Sequence, residues 1–177
     1  MKELIFRSQN GDKEAYTELI KLIQNDLYRI ARSKLTDLDD INDAIQETII
    51  KSYKKLNKLQ NIDTFKSWII KILINECNQI YRKKSKKNSL INKLYKSNSM
   101  EYNEDSIHSI DSKLDFEKLL YSLSTDEKLI ITLFYNSNYS CSEISKILNM
   151  NINTVKSKIA RAKEKIRKEF EGGILNV

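Results

Sequence analysis

The sequence predicts an all-α chain: two small helical domains joined by a flexible linker, the second a helix-turn-helix domain. Three observations predict this. Proline is absent from the 177 residues and glycine occurs three times, at Gly11, Gly172 and Gly173, whereas a β-sandwich or barrel turns every ~8–12 residues and its tight turns lean on those two residues. Apolar residues recur at helical spacing through several long segments. The charge is also unevenly spread. The total of +7 resolves into +1 over residues 1–80, +7 over 81–97, −6 over 98–127 and +5 over 128–177. A neutral block, a basic strip, an acidic strip and a basic end mark two modules, residues 1–87 and 112–177, around a linker at 88–111. That linker is rich in Ser and Asn with few well-spaced apolar residues. A long structureless loop inside one compact domain is uncommon, so this segment reads as a join between two.

The same counts exclude several chemistries. No glycine falls between residues 12 and 171, so neither common Gly-rich phosphate loop is present. Cys77 and Cys141 lack a C-x-x-C spacing and read as small buried hydrophobes in a reducing compartment. His108 is the only histidine, too few nitrogen and sulfur donors for a conventional zinc site. No metal and no cofactor is expected, and no set of nucleophile, base and metal ligands marks an enzyme. The start, MKELIFRSQNGDKEAY, lacks an apolar signal core. The run WIIKILI is too short, against the ~20 residues that span a bilayer. The expected location is the cytoplasm, without membrane insertion.

The first long helix is read over 12–35, with Tyr16, Leu19, Ile20, Ile23, Leu27, Ile30 and Ala31 on one stripe. Asp39 or Asp40 is expected to cap the next, which runs to about Leu59. Its core side holds Ile41, Ala44, Ile45, Thr48, Ile49, Ser52 and Leu56. Opposite them lie Asp43, Gln46, Glu47, Ile50 and Lys54, an acidic and amide surface with one isoleucine that reads as a partner site or a plain solvated face. A third helix is read over 64–87, capped by Asp63 or Thr64. Its first half is apolar almost all round, as in a central core helix. Ser67, Lys71, Asn75, Asn78 and Arg82 fall within ~80° of one another on it and lead into RKKSKK. Amides read base edges and cations hold phosphates, so this stripe suits nucleic acid. Trp68 flanks the stripe and reads as core or as a base-stacking ring.

Beyond the linker a short helix is read near 112–123. Two capping boxes follow, Ser124 with Glu127 and Ser140 with Glu143. Asn149 stands where a turn wants positive φ, and Asn151 is a good N-cap for the last helix. Val155, Ile159, Ala162, Ile166 and Phe170 share one stripe of that helix. Thr154, Ser157, Lys158, Arg161 and Lys165 lie opposite, with Lys156 to the side. An apolar back and a short-polar and basic front make a recognition helix for the major groove. On these residues alone a stand-alone helix-turn-helix repressor is an alternative, although it leaves the 64–87 stripe without a use.

Taken together, these segments resemble a bacterial RNA polymerase sigma factor of the extracytoplasmic-function (ECF) group. GDKEAYTELI resembles the family's opening helix and DDINDAIQETIIKSY its polymerase-clamp helix. TFKSWIIKILINECNQIYRKKSKK resembles the segment that melts and reads the minus-ten element. LSTDEKLIITLFYNSNYSCSEISKILNMNINTVKSKIARAKEKIR is similar to the minus-thirty-five domain. The resemblance implies a transcription initiation factor, not an enzyme. Its partners would be core RNA polymerase, promoter DNA and an anti-sigma factor. Asp40, Asp43, Gln46, Glu47 and Ile50 would meet polymerase. Lys71, Asn75 and Asn78 would face the minus-ten strand, with Gln60 and Asn61 lining a pocket for a flipped base and Arg82, Lys83 and Lys84 on phosphates. Thr154, Lys156, Ser157, Lys158 and Arg161 would contact the minus-thirty-five element.

Overall fold

In a computed structural model of the chain, residues 1–94 and 122–174 are described, with side chains for 1–86 and 122–171. Seven α-helices occur among them: α1 (Lys2–Gln9), α2 (Lys13–Arg32), α3 (Leu38–Lys55), α4 (Phe65–Leu94), α5 (Thr125–Ile131), α6 (Cys141–Leu148) and α7 (Ile152–Ile174). Most of the helix expected near 112–123, and most of the acidic linker, lie outside the described residues.

α1 was not foreseen in the sequence. It buries Ile5 and packs on α2. Its last residue, Gln9, donates from Nε2 to the carbonyls of Leu56 and Leu59 at 3.0 and 2.8 Å, tying α1 to the segment that follows α3. The turn to α2 uses Gly11 at φ 92°, a backbone conformation that glycine adopts without a Cβ penalty. Asp12 then caps α2 by accepting from the Ala15 N–H at 2.9 Å.

The cap of α3 differs from expectation. Asp37, not Asp39 or Asp40, accepts from both Asp39 and Asp40 N–H groups, at 2.9 and 3.1 Å. Asp37 is the last extended residue (ψ 130°), so its carboxylate reaches the first-turn donors. Asp39 and Asp40 lie inside that turn, where they add favourable charge at its positive end. α3 also ends earlier than expected, followed by a 3-10 turn over Leu56–Lys58. The next 3-10 turn, Ile62–Thr64, is capped by Asn61 through the Asp63 N–H at 2.9 Å. Asp63 and Thr64 lie inside that turn, and the Thr64 hydroxyl donates to the Asn61 carbonyl at 2.7 Å. α4 continues to Leu94, past residue 87, since no glycine or proline interrupts it.

α4 is the central helix. Phe65, Ile69, Ile70, Leu73, Ile74 and Cys77 are buried on it, and α2 and α3 pack against it. Tyr16 ties α2 to α3: its hydroxyl donates to the Ile49 carbonyl at 2.7 Å and pairs with the Ser52 hydroxyl at 2.7 Å. In the second half both capping boxes form as read, at Ser124/Glu127 and Ser140/Glu143. A π-helical turn at Thr132–Asn136 closes α5. The halves meet where α6 packs on α4 and the π turn packs on α2. Their buried apolar residues form one continuous cluster.

Replacing Leu73, which is fully buried, by alanine is expected to cost about 2–5 kcal/mol. Each kcal/mol lowers Tm by roughly 2–4 °C at this chain length. Lys71→Ala, on the exposed side of the same helix, is expected to stay within about 0.5 kcal/mol. Thermal melts of the two variants check this.

Candidate nucleic-acid interface

The helix-turn-helix is built by its caps. Asn149 ends α6 in the left-handed conformation, φ 52° and ψ 47°. The Met150 carbonyl accepts from the Ser145 hydroxyl at 2.7 Å. Asn151 then caps α7, accepting from the Asn153 N–H at 2.8 Å. Val155, Ile159 and Ala162 are buried, while Thr154, Lys156, Ser157 and Arg161 are exposed on the other side. Two cations of this helix are engaged inside the domain. Lys158 pairs with Asp126 at 3.3 Å, and Lys165 pairs with the buried Glu127 at 2.8 Å. These ion pairs fix α7 against α5. Lys158 is therefore held partly inward, unlike Lys156 and Arg161. Phe170, read as part of the apolar stripe, is 59% exposed, one turn beyond Ile166, which packs against the core.

On α4 the stripe is where the spacing put it. Lys71, Asn75 and Arg82 are exposed, and Ser67 and Asn78 are half-buried beside the core. Trp68 is also half-buried, with its ring 6.1 Å from that of Phe65. Gln60 and Asn61 are exposed on the loop before α4, and Gln9 anchors that loop through the Leu59 carbonyl. Asn61 spends its side-chain oxygen on the cap and keeps its amide N–H₂. Lys71, Asn75 and Asn78 line one wall of a cleft of about 500 Å³, and Lys146, Asn149 and Met150 line another. The first half's polar stripe thus faces the turn of the helix-turn-helix.

The outer face of α3 carries Asp43, Gln46, Glu47 and Ile50, all exposed. Ile50, 46% exposed, is the apolar residue among them. Asp40 does not stand with them as a free group: its carboxylate holds Lys84 at 2.5 Å, and Asp37 lies 3.6 Å from the same ammonium. A second lysine links the same helices. Lys51 binds the buried Glu76 at 2.6 Å and Glu47 at 3.6 Å, and Gln79 donates to Glu76 at 3.4 Å. The hydrogen bond that Lys51 donates to Glu76 holds its ammonium above its ordinary pKa.

Gln9, Asp37, Lys51 and Glu76 thus support the site and were not singled out from the sequence. Glu76 left a signal there, as a lone acid one helical turn from Ile72, Leu73 and Ile80, and Asp37 left one as a third capping side chain beside Asp39 and Asp40. Burial pushes the Cys77 thiol up to about 11, in keeping with a packing role. Among the described residues no group of three or more His, Cys, Asp or Glu is placed to hold a metal. Nor is any helix long and apolar enough to cross a membrane.

The fold and these faces define a two-part helical protein of the helix-turn-helix class. Family comparison narrows the class. The Sigma-70 region 2 model matches residues 19–87, and the Sigma-70, region 4 model matches residues 113–166. The RNA polymerase sigma factor SigV of Bacillus subtilis (strain 168) is 30% identical over 148 residues, covering 81% of this chain and 84% of SigV. The ECF RNA polymerase sigma factor SigW of the same organism is 24% identical over 180 residues, covering 96% of each chain. Among solved structures, the sigma factor RpoE from Bartonella quintana, crystallised with the anti-sigma factor NepR, is similar with a TM-score of 0.71 and 25% identity. That likeness covers 88% of this chain and 96% of the other. The chain belongs to the RNA polymerase sigma factors, within the ECF group.

The anchor of α7 is expected to show in the pH dependence of stability. Burial raises the Glu127 pKa, but the hydrogen bonds from Lys165 and from the Ser124 backbone outweigh it, and the net shift is downward. Its ionised form is therefore favoured by folding. The stabilisation is complete above the unfolded value of about 4.3 and is lost as pH falls through the depressed folded value. Urea melts from pH 7 to 3 check this. Wild type is expected to weaken more steeply in acid than Glu127→Gln, which starts weaker at pH 7 and has no such carboxylate to protonate.

Proposed function

We propose that this sigma factor binds core RNA polymerase, directs it to promoters and helps open the duplex at the minus-ten element. It acts in the cytoplasm, without a reaction centre of its own, and under the control of an anti-sigma partner. The observation that carries this reading is the polar stripe of α4. A repressor needs only the exposed front of α7. A promoter-opening factor needs a second nucleic-acid face, and Lys71, Asn75 and Asn78 leading to Arg82 and Lys83 provide one.

The roles follow from chemistry. Asp43, Gln46, Glu47 and Ile50 offer polymerase an acidic and amide rim around one apolar contact, complementary to a basic surface. Asn75 and Asn78 carry both donors and acceptors for base edges. A base leaving the stack costs a few kcal/mol, which contacts from Gln60 and Asn61 would offset. Arg82 and Lys83, free of ion pairs within the described residues, suit phosphates. Thr154, Ser157 and Arg161 suit base edges in the minus-thirty-five major groove, with Lys156 and Lys158 at the backbone. Control by an anti-sigma factor is supported by the similarity to RpoE, which is crystallised with one.

Gln46→Ala combined with Ile50→Glu is expected to weaken binding to core polymerase in a pull-down titration while leaving the thermal melt unchanged. Unchanged affinity would contradict the role of the α3 face. Arg161→Ala is expected to cost about 1–3 kcal/mol of promoter binding and to relax sequence preference at one position. Equal loss on all sequences would place Arg161 on a phosphate instead.

A further inference from the structure

Three cations follow one another on α4, but the fold treats them differently. Arg82 and Lys83 are exposed and form no ion pair within the described residues. Lys84, about 200° round the helix from Arg82, turns toward α3 and meets Asp40 at 2.5 Å and Asp37 at 3.6 Å. The Asp40 side chain is only 17% exposed, so it is committed to this lysine. Asp37 is fixed as well, since its other oxygen caps α3. One ammonium thus lies against two positioned carboxylates. The long lysine stem, 53% exposed, is free to swing outward once they are neutralised or taken up elsewhere.

We propose that Asp40 and Asp37 form an acidic latch that withholds Lys84 from nucleic-acid phosphates in the free chain. A basic partner surface docking at the start of α3 competes for those carboxylates and releases the cation. The inference rests on the reading above, that α3 meets polymerase and α4 meets DNA. By linkage, a partner that frees Lys84 strengthens DNA binding, and DNA that captures Lys84 strengthens partner binding by the same factor. Lys84 then helps make the chain's grip on DNA depend on the partner, while Arg82 and Lys83 supply a constant background.

The test uses the full chain and a fluorescein-labelled single-stranded DNA 12-mer of mixed sequence, read by anisotropy across salt concentrations. Asp40→Asn is expected to bind several-fold tighter than wild type at low salt, and its log–log salt slope is expected to steepen by about 0.7, the value of one added single-strand phosphate contact. Asp39→Asn, which changes net charge equally but touches no lysine, is expected to gain less and to keep the wild-type slope. Lys84→Gln is expected to leave the free chain's affinity nearly unchanged, and in its background the gain from Asp40→Asn is expected to fall to that of Asp39→Asn. In the holoenzyme, where the cation is released, Lys84→Gln is expected to weaken binding of the same oligonucleotide.

The latch is overturned if Asp40→Asn gains no more than Asp39→Asn, or if its gain survives in the Lys84→Gln background. It is also overturned if Lys84→Gln weakens the free chain as much as the holoenzyme. Arg82→Gln separates the two levels of failure. If it leaves affinity unchanged, the reading of α4 as a DNA surface falls along with the latch. If it weakens binding while the Asp40 effect is missing, the latch alone falls. Thermal melts of each variant distinguish a lost latch from a lost fold: a purely structural ion pair lowers Tm without tightening DNA binding.

Discussion

The burial of α4 is the constraint on which the rest depends. One side of this helix, from Phe65 through Ile69 and Leu73 to Cys77, is inside the protein. The remaining arc is therefore fixed in direction as soon as the core forms. Burying each large apolar side chain is worth about 1.5–3 kcal/mol, so rotating α4 to hide its polar stripe would expose several such groups together. The amides and cations on the outside are held in place by the packing on the inside. The same logic governs α7, where burial of Val155, Ile159 and Ala162 orients Thr154, Ser157 and Arg161 outward.

Electrostatics is layered onto that packing. Among the described residues, lysines cross from one α-helix to another at four places: Lys51 to Glu76, Lys84 to Asp40, Lys158 to Asp126 and Lys165 to Glu127. Pairs that end on a largely buried acid, Glu76 or Glu127, are anchors, because removing the cation leaves a carboxylate with too few partners in low dielectric. Lys84 and Lys158 end on more accessible acids, where water and salt compete. Each such pair removes one cation and one acid together, so the net charge of +7 is unchanged by pairing and does not say which cations face a partner. Arg82, Lys83, Lys156 and Arg161 are exposed and unpaired within the described residues, and they stand on two separate faces.

Much of this was legible from local signals. The two capping boxes, the left-handed Asn149 and the Asn151 cap are each decided within four residues, and each formed as read. The outward stripe of α4 follows from periodicity, which packing enforced. Features set by chain direction or distant contacts were not legible. Asp37, Asp39 and Asp40 all have capping side chains, and only the extended backbone at residue 37 chooses among them. α1 is short, and Gln9 acquires its role from carbonyls 47 and 50 residues away. The pairing of Lys84 with Asp37 and Asp40 had no local signal, because those partners are more than forty positions earlier. The meeting of α4 with α6 had no signal in either helix alone, since the apolar residues used there look like the core of each half.

Transcription with cognate core RNA polymerase and this chain, followed by mapping of start sites across genomic DNA, tests whether the faces of α4 and α7 together select promoters. Discrete starts absent with core alone are expected, preceded by two sequence elements at fixed spacing, one for each exposed face. No new starts, together with polymerase-independent binding to a palindromic site, would contradict it.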